Sequence, residues 1–252
     1  LTGIGYMSTS GLKAVDYYLS DRFLDTPGKG DAYFSEKLLR LSHSHFCYTP
    51  FEEIFKSTID WQPHERPAFG CFNNSAKISE EMLRLWLTLL RRVPGAKLLL
   101  KAWKPEALLE KALSLGYCRG EIEVRPMTHA YIHEYMDMDI ALDTFPYTGG
   151  GTTCEAIYMG VPVVTLAGTR HGTRFGLSLL ENVGLGELVS NTPEEYVEKA
   201  AALASDAELL AALHKNLRPM MQRSPLMDGK SYVREIEAMY EDVWQAWLDG
   251  RE

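Results

Sequence analysis

The stretch of this 252-residue chain richest in groups able to do chemistry is Asp139-Ile140-Ala141-Leu142-Asp143-Thr144-Phe145-Pro146-Tyr147-Thr148-Gly149-Gly150-Gly151-Thr152-Thr153-Cys154-Glu155-Ala156. An apolar run suited to a buried strand leads into three glycines, and two threonines follow where a helix should begin. Glycines let backbone N–H groups approach an anion with no Cβ in the way. The first turn of a helix adds unpaired N–H groups and about half a positive charge. With the hydroxyls of Thr152 and Thr153, the run through Gly150 and Gly151 makes a cradle for phosphate or diphosphate. A tight strand-to-helix turn calls for glycines too, so the pattern alone leaves both readings open. No G-K-[ST] follows the glycines, and the spacing is not G-x-G-x-x-G.

Phe72-Asn73-Asn74-Ser75-Ala76-Lys77-Ile78 is the second candidate, a turn between a short apolar strand and a helix that starts after Ser79. A lysine there faces the crevice at the carboxyl ends of the strands, where α/β sheets bind ligands. Its ammonium would neutralise a diphosphate leaving group. A charge-assisted hydrogen bond contributes roughly 1.5–3 kcal/mol, against about 0.3–1 kcal/mol for a helix terminus. Lys77 should therefore outweigh either threonine; the alternative is a solvated lysine before a helix.

Other constellations read as structural. Asp137-Met138-Asp139 has the D-x-D form of a metal–nucleotide site, but it sits at a helix-to-strand junction rather than after a strand. His43, His45, His129, His133 and His171 make no zinc pattern, and no G-x-S-x-G nucleophile motif occurs. Cys47, Cys71, Cys118 and Cys154 lie far apart, which favours a reducing compartment over a disulfide framework. A net charge of -8 without a basic cluster argues against nucleic acid as a partner. No apolar stretch nears the ~20 residues needed to span a bilayer, and no signal peptide is visible. The start at Leu1 suggests a fragment.

These segments need elements to position them. After a turn at Gly5–Gly11, a strand is expected at Val15–Leu19 and a helix at Ser35–Leu41. The polar, proline-containing stretch 58–67 marks a boundary. Beyond it, strands at Ala68–Phe72, Lys97–Lys101, Glu121–Val124, Ile140–Thr144 and Val161–Leu166 alternate with helices. Those helices are expected at Glu80–Val93, Glu106–Leu115, Ala130–Met136 and Thr153–Met159, with a capping box at Thr192-Pro193-Glu194-Glu195 starting another. Such alternation predicts an α/β fold, a Rossmann-like doubly wound parallel sheet. A last helix over Lys230–Trp247 carries Tyr232, Ile236, Met239, Tyr240, Val243, Trp244 and Trp247 on one stripe, expected to be a packing face, against a neighbouring domain and not only its own sheet.

At this point the sequence resembles a known family. The two segments above, with Met159-Gly160-Val161-Pro162-Val163-Val164-Thr165-Leu166, Ser178-Leu179-Leu180, Val183-Gly184-Leu185 and Ser224-Pro225-Leu226, resemble the O-GlcNAc transferase/SPINDLY family of protein glycosyltransferases. Tyr6 through Asp21 resembles the end of that family's amino-terminal catalytic lobe. The resemblance implies the carboxyl-terminal lobe of a GT-B glycosyltransferase with a partial amino-terminal segment. Residues 1–62 would be that remnant, 63–228 the nucleotide-sugar-binding lobe, and 229–252 the terminal aromatic helix packing on the lobes.

It further implies inverting transfer to Ser/Thr of cytoplasmic proteins from a UDP-GlcNAc or GDP-fucose type donor, with no cofactor and no metal. By position, Asn74 and Lys77 would contact the diphosphate, Lys77 as the catalytic group, and Gly150, Gly151, Thr152 and Thr153 would bind it from the helix start. The backbone from Pro126 to Thr128 would edge the base, Tyr131 would stack on it, and Glu155 counts among the donor contacts. Two departures bear on the nucleotide: Tyr131 stands where the family usually has an imidazole, with His129 two residues earlier as the other group able to stack, and Gly151 stands where the animal enzymes have a ribose-contacting histidine. With most of the amino-terminal lobe missing, the chain is expected to bind nucleotide but transfer sugar slowly or not at all alone. A non-protein acceptor, and a nucleotide-binding or interaction module without transferase activity, are the alternatives.

Overall fold

Short apolar runs alternating with amphipathic helices can cover both faces of each strand if the strands lie parallel with helices on either side. The computed structural model, which describes residues 1–5 and 7–250, has that arrangement. Tyr6, part of the expected turn and of the lobe-closing segment, lies outside the described residues, as do Arg251 and Glu252. In chain order the elements are β1 (Tyr17–Asp21), β2 (Lys37–Leu41), α1 (Glu52–Lys56), β3 (Ala68–Cys71), α2 (Glu80–Arg92), β4 (Lys97–Ala102), α3 (Pro105–Ser114) and β5 (Ile122–Pro126). There follow β6 (Ile140–Leu142), α4 (Gly151–Tyr158), β7 (Val163–Leu166), α5 (Phe175–Val183), β8 (Val189–Ser190), α6 (Pro193–Ser205), α7 (Ala207–Gln222) and α8 (Gly229–Leu248).

The main sheet runs β5-β4-β3-β6-β7-β8 with neighbouring strands parallel. Strand order reverses between β3 and β6, which pair through Phe69↔Ile140 and Gly70↔Ala141. In a doubly wound sheet the ligand crevice opens at such a reversal, beyond the carboxyl ends of the strands. Side chains alternate across the sheet with period two. Leu99, Ala141 and Val163 enter the core under α4, α5 and α7, while Leu98, Leu100, Ile140, Leu142 and Val164 enter the one under α2, α3 and α6.

Helix α2 shows how the sequence sets an element's ends. The Ser79 side chain accepts from the Met82 N–H, Glu80 and Glu81 sit in the first turn, and Arg91 and Arg92 in the last, all in accord with the helix dipole. Met82, Leu83, Trp86, Leu89 and Leu90 are buried. The Trp86 indole N–H donates to the Tyr196 hydroxyl at 3.2 Å, which in turn donates to the Asp143 carbonyl at 2.9 Å. This ties α2 and α6 to the end of β6.

Two expectations need correcting. Ser35–Leu41 is not a helix: β2 runs parallel to β1, and the Lys37 N–H donates to the Asp16 carbonyl at 2.8 Å. The Glu36 carboxylate meanwhile accepts from the Ser10 N–H at 2.7 Å and the Thr9 hydroxyl at 2.6 Å. Pairing with a distant strand has overridden a weak helical preference. The short helix expected at Ala130–Met136 begins two residues later and is of the 3₁₀ type, Ile132–Asp137. Three residues per turn place Ile132 and Tyr135 on one face, and both are buried.

The first turns of α8 are held by the Tyr232 hydroxyl on the His45 carbonyl (3.0 Å) and by Glu235 accepting from the Ser42 N–H (2.6 Å). No residue of the helix is buried, and Tyr240, Trp244 and Trp247 are each more than half exposed. Beyond its first turns Ile236, Met239 and Val243 are half-buried, and the aromatic end of the stripe, Tyr240, Trp244 and Trp247, lies open within this chain. No helix among the described residues is long and apolar enough to cross a membrane.

Candidate functional site

Both segments singled out in the sequence leave the sheet at its reversal point, 72–78 after β3 and 143–150 after β6. They meet through a carboxylate. Asp143 is 1% exposed. Its Oδ1 accepts from the N–H groups of Gly149 (2.7 Å) and Thr144 (2.8 Å) and from Asn73 Nδ2 (3.0 Å); its Oδ2 accepts from the Thr165 hydroxyl (2.7 Å). Burying a carboxylate is costly unless donors surround it. Burial raises the Asp143 pKa, and those donors pull the other way.

Asn73 carries the network across the crevice. Its Nδ2 also donates to the Thr144 hydroxyl at 3.1 Å, and its Oδ1 accepts from the Thr152 hydroxyl at the start of α4. A cavity of about 20 Å³ lies among Phe72, Asn73, Asp143, Thr152 and Thr153. The Lys77 Nζ donates to the Thr148 carbonyl at 3.0 Å and sits 3.8 Å from the centre of the Tyr147 ring. Lys77 is half-buried, and that burial lowers its pKa while Asp143 raises it. Lys77 and the Thr152 helix start thus share one bracket, the loop 143–151.

The glycines divide the work. A Cβ on Gly149 would lie 2.5 Å from the Thr153 hydroxyl, so that residue is needed for packing. A Cβ on Gly150 would meet Phe46 at 3.3 Å, whereas one on Gly151 would meet nothing within 4 Å. Gly151 is where an anion has room to approach. As α4 begins there, the N–H groups of Gly151, Thr152 and Thr153 have no partner within the helix. The two hydroxyls are directed otherwise than expected. That of Thr152 donates to Asn73, and Thr153 is buried against Gly149. Donation toward the crevice therefore comes from backbone.

Asn74 is exposed, and its side chain accepts from the Ala76 N–H at 3.0 Å, capping the short 3₁₀ turn Ser75–Lys77. Tyr131 is drawn to α4: its hydroxyl donates to Glu155 at 2.9 Å, and that of Tyr135 donates to the other carboxylate oxygen at 3.3 Å. Burial raises the pKa of Glu155, with both tyrosine bonds opposing. Pro126 and Thr128 are exposed at the end of β5, two strands from β3, roughly 10 Å at ordinary strand spacing. The Thr128 hydroxyl donates to Glu134 at 3.3 Å, and Glu134 pairs with the buried Lys101 and with Arg125 at 3.0 Å.

Asp137 and Asp139 lie at the opposite end of β6 from the crevice. Asp139 accepts from the Ala68 N–H (2.8 Å) and the Trp61 indole (3.1 Å) and pairs with His64 (2.7 Å), while Asp137 pairs with Arg125 (2.5 Å). Two further histidines pair with buried carboxylates, His171 with Asp25 at 2.6 Å and His45 with Asp21 at 3.4 Å. Sequence reasoning missed Asn73, Asp143, Tyr147 and Thr148 as site builders. A signal existed for Asp143: a carboxylate ending an apolar strand must be met by donors from the adjoining loops.

Residues 60–236 match the family described as glycosyl transferase family 41. The SPINDLY protein of Hordeum vulgare, described as a probable UDP-N-acetylglucosamine--peptide N-acetylglucosaminyltransferase, is 41% identical over 263 residues covering 99% of this chain and 27% of that protein. The SEC protein of Arabidopsis thaliana, similarly described, is 29% identical over 99% of this chain and 27% of its own length. This chain thus spans about a quarter of such relatives, 27% in both cases. The structure of a lysine-to-methionine mutant of Thermobaculum terrenum O-GlcNAc transferase superposes with a TM-score of 0.87 at 35% identity, over 99% of this chain and 49% of that one. WaaG, a glycosyltransferase of lipopolysaccharide biosynthesis, shares the fold at a TM-score of 0.60 and 13% identity, over 91% of this chain and 64% of WaaG.

Proposed function

The chain belongs to glycosyl transferase family 41 and has the α/β fold of a GT-B glycosyltransferase lobe, and from that premise we propose that it binds the nucleotide-sugar donor of a protein glycosyltransferase. One observation carries the reading: Lys77 and the open N–H groups of α4 are held by the same loop at the sheet's reversal point. As the bond from sugar to diphosphate breaks, negative charge grows on the departing phosphate oxygens. Fixed donors aimed at that charge stabilise the transition state more than the ground state. The Lys77 ammonium and the N–H groups of Gly151, Thr152 and Thr153 are those donors.

Attack by a serine or threonine hydroxyl from the far side of the sugar inverts the anomeric centre as the sugar–diphosphate bond breaks, the hydroxyl proton passing to water, and the lysine supplies the positive charge that a metal provides elsewhere. The backbone at Pro126–Thr128 would edge the base, with Tyr131 stacking on it. The relatives' names favour UDP-GlcNAc as donor and a peptide as acceptor, and the scattered cysteines favour a reducing compartment such as the cytoplasm; a GDP-sugar is the other donor of the right class. Residues that present the acceptor are not among those assembled here, so donor binding with little transfer is expected of this chain alone.

Titration with UDP, GDP and their sugar conjugates tests the proposal. Wild type should bind one nucleotide series, and Lys77→Ala should weaken it at least tenfold. Absence of binding would instead favour an interaction module, a reading that the exposed aromatics of α8 support.

A further inference from the structure

Lys77 occupies an unusual position for a surface-loop lysine. Among the described residues it makes no ion pair; its ammonium meets one carbonyl, that of Thr148, and the face of one ring, that of Tyr147. An ammonium has three N–H donors, so two remain for a ligand. A lysine side chain carries about 2 kcal/mol of rotamer entropy, and an unrestrained Lys77 would lose it on closing over a diphosphate. The loop that restrains it is itself fastened at successive residues. The Tyr147 carbonyl accepts from the Thr144 hydroxyl at 2.7 Å, the Thr148 hydroxyl donates to the Gly172 carbonyl at 3.1 Å, and the Gly149 N–H rests on Asp143. Tyr147 itself is 45% exposed, so its ring is no part of the core.

We propose that Tyr147 is a positioning residue for donor binding, its ring face holding the Lys77 ammonium 3.8 Å from the ring centre so that the remaining N–H groups meet the diphosphate. A cation over an aromatic face is attracted by the ring quadrupole, most strongly where water is partly excluded. The attraction needs the ring and not the hydroxyl. It acts through the lysine alone, and with the ring outside the core its removal is expected to leave the fold's stability nearly unchanged. This inference rests on the donor-binding reading of Lys77 and adds to it a residue that touches no donor atom.

A double-mutant cycle tests it, with UDP and GDP as probes and calorimetric affinity as the readout. Tyr147→Leu should weaken binding about five- to tenfold, Tyr147→Phe should restore it to within twofold, and the melting temperature should hardly move in either. In a Lys77→Met background, Tyr147→Leu should have no further effect. A full effect of Tyr147→Leu in that background would mean the ring touches the nucleotide itself and would overturn the inference. So would an unchanged affinity for Tyr147→Leu while Lys77→Met weakens binding. If Lys77→Met binds as well as wild type, the donor-site reading fails first, and this inference with it.

Discussion

Asp143 and Trp244 stand at opposite extremes of the molecule. The carboxylate is 1% exposed with four donors on it, and the indole is 59% exposed and stacked on Trp247 at 5.1 Å between ring centres. In the crevice, polar groups are buried and each is met by another; along α8, apolar groups are exposed and meet little. The comparison separates two uses of residue type. Buried polar groups fix a geometry, because any displacement leaves one of them unpaired at a cost of about 1–3 kcal/mol or more. An apolar stripe fixes only a face, and what covers it is decided by surface elsewhere.

Four perturbations sharpen or break this contrast. The largest effect should come from Asp143→Ala, which strands the Asn73 amide, the Thr165 hydroxyl and two loop N–H groups. A stability loss of about 3–5 kcal/mol is expected by denaturant unfolding. A loss under 1 kcal/mol would mean that water replaces the carboxylate and that the loop is less rigid than described.

The second largest is a pH effect on another buried polar group. His214 is buried, its Nε2 donates to the Asp139 carbonyl at 2.9 Å, and it stacks on Trp61 at 3.7 Å between ring centres. Burial lowers its pKa from 6.5 to about 4, against the pull of Asp139. The unfolded chain therefore takes up a proton that the folded chain refuses. The resulting stability is present above pH 6.5 and is lost as pH falls toward 4, by at most about 3.4 kcal/mol. Burial raises the pKa of Asp143 and Glu155, which acts in the opposite sense as pH falls. The informative quantity is thus the difference between wild type and His214→Gln, whose acid-side slope should be shallower; equal slopes would refute the assignment.

Next in size is Lys77→Met. Loss of a charge-assisted bond worth roughly 1.5–3 kcal/mol should weaken nucleoside diphosphate binding about ten- to a hundredfold, with unfolding stability nearly unchanged because the side chain lies outside the core. The smallest effect belongs to α8: Trp244→Ala should change the chain's stability by less than about 0.5 kcal/mol. A loss of 2 kcal/mol or more in thermal or denaturant melts would show that the stripe is packed after all, and the contrast would collapse.

The same contrast explains what was legible in the sequence. Strands β3 to β7 were readable as short apolar runs alternating with stretches of helical spacing, and Ser79 and Thr192 mark helix starts by their own chemistry. The crevice was readable from two polar segments, each placed after a strand. Its wiring was not: the sequence offers Asn73 and Asn74 as neighbours of one type, and folding alone decides that Asn73 reaches Thr152 while Asn74 caps its own turn. Strand β2 was unreadable for a related reason, since its pairing partner is β1 and its helical preference was purely local. The stripe on α8 was readable as a face, but what covers its aromatic end was not, since within this chain Tyr240, Trp244 and Trp247 stay exposed.

A crystal structure of the chain with UDP or GDP bound tests the central claim most directly. The account predicts diphosphate oxygens within about 3 Å of both Lys77 Nζ and at least one N–H of Gly151, Thr152 or Thr153. A nucleotide bound at the far end of β6 near Asp137 and Asp139, or a diphosphate that touches neither the lysine nor the helix start, would contradict it.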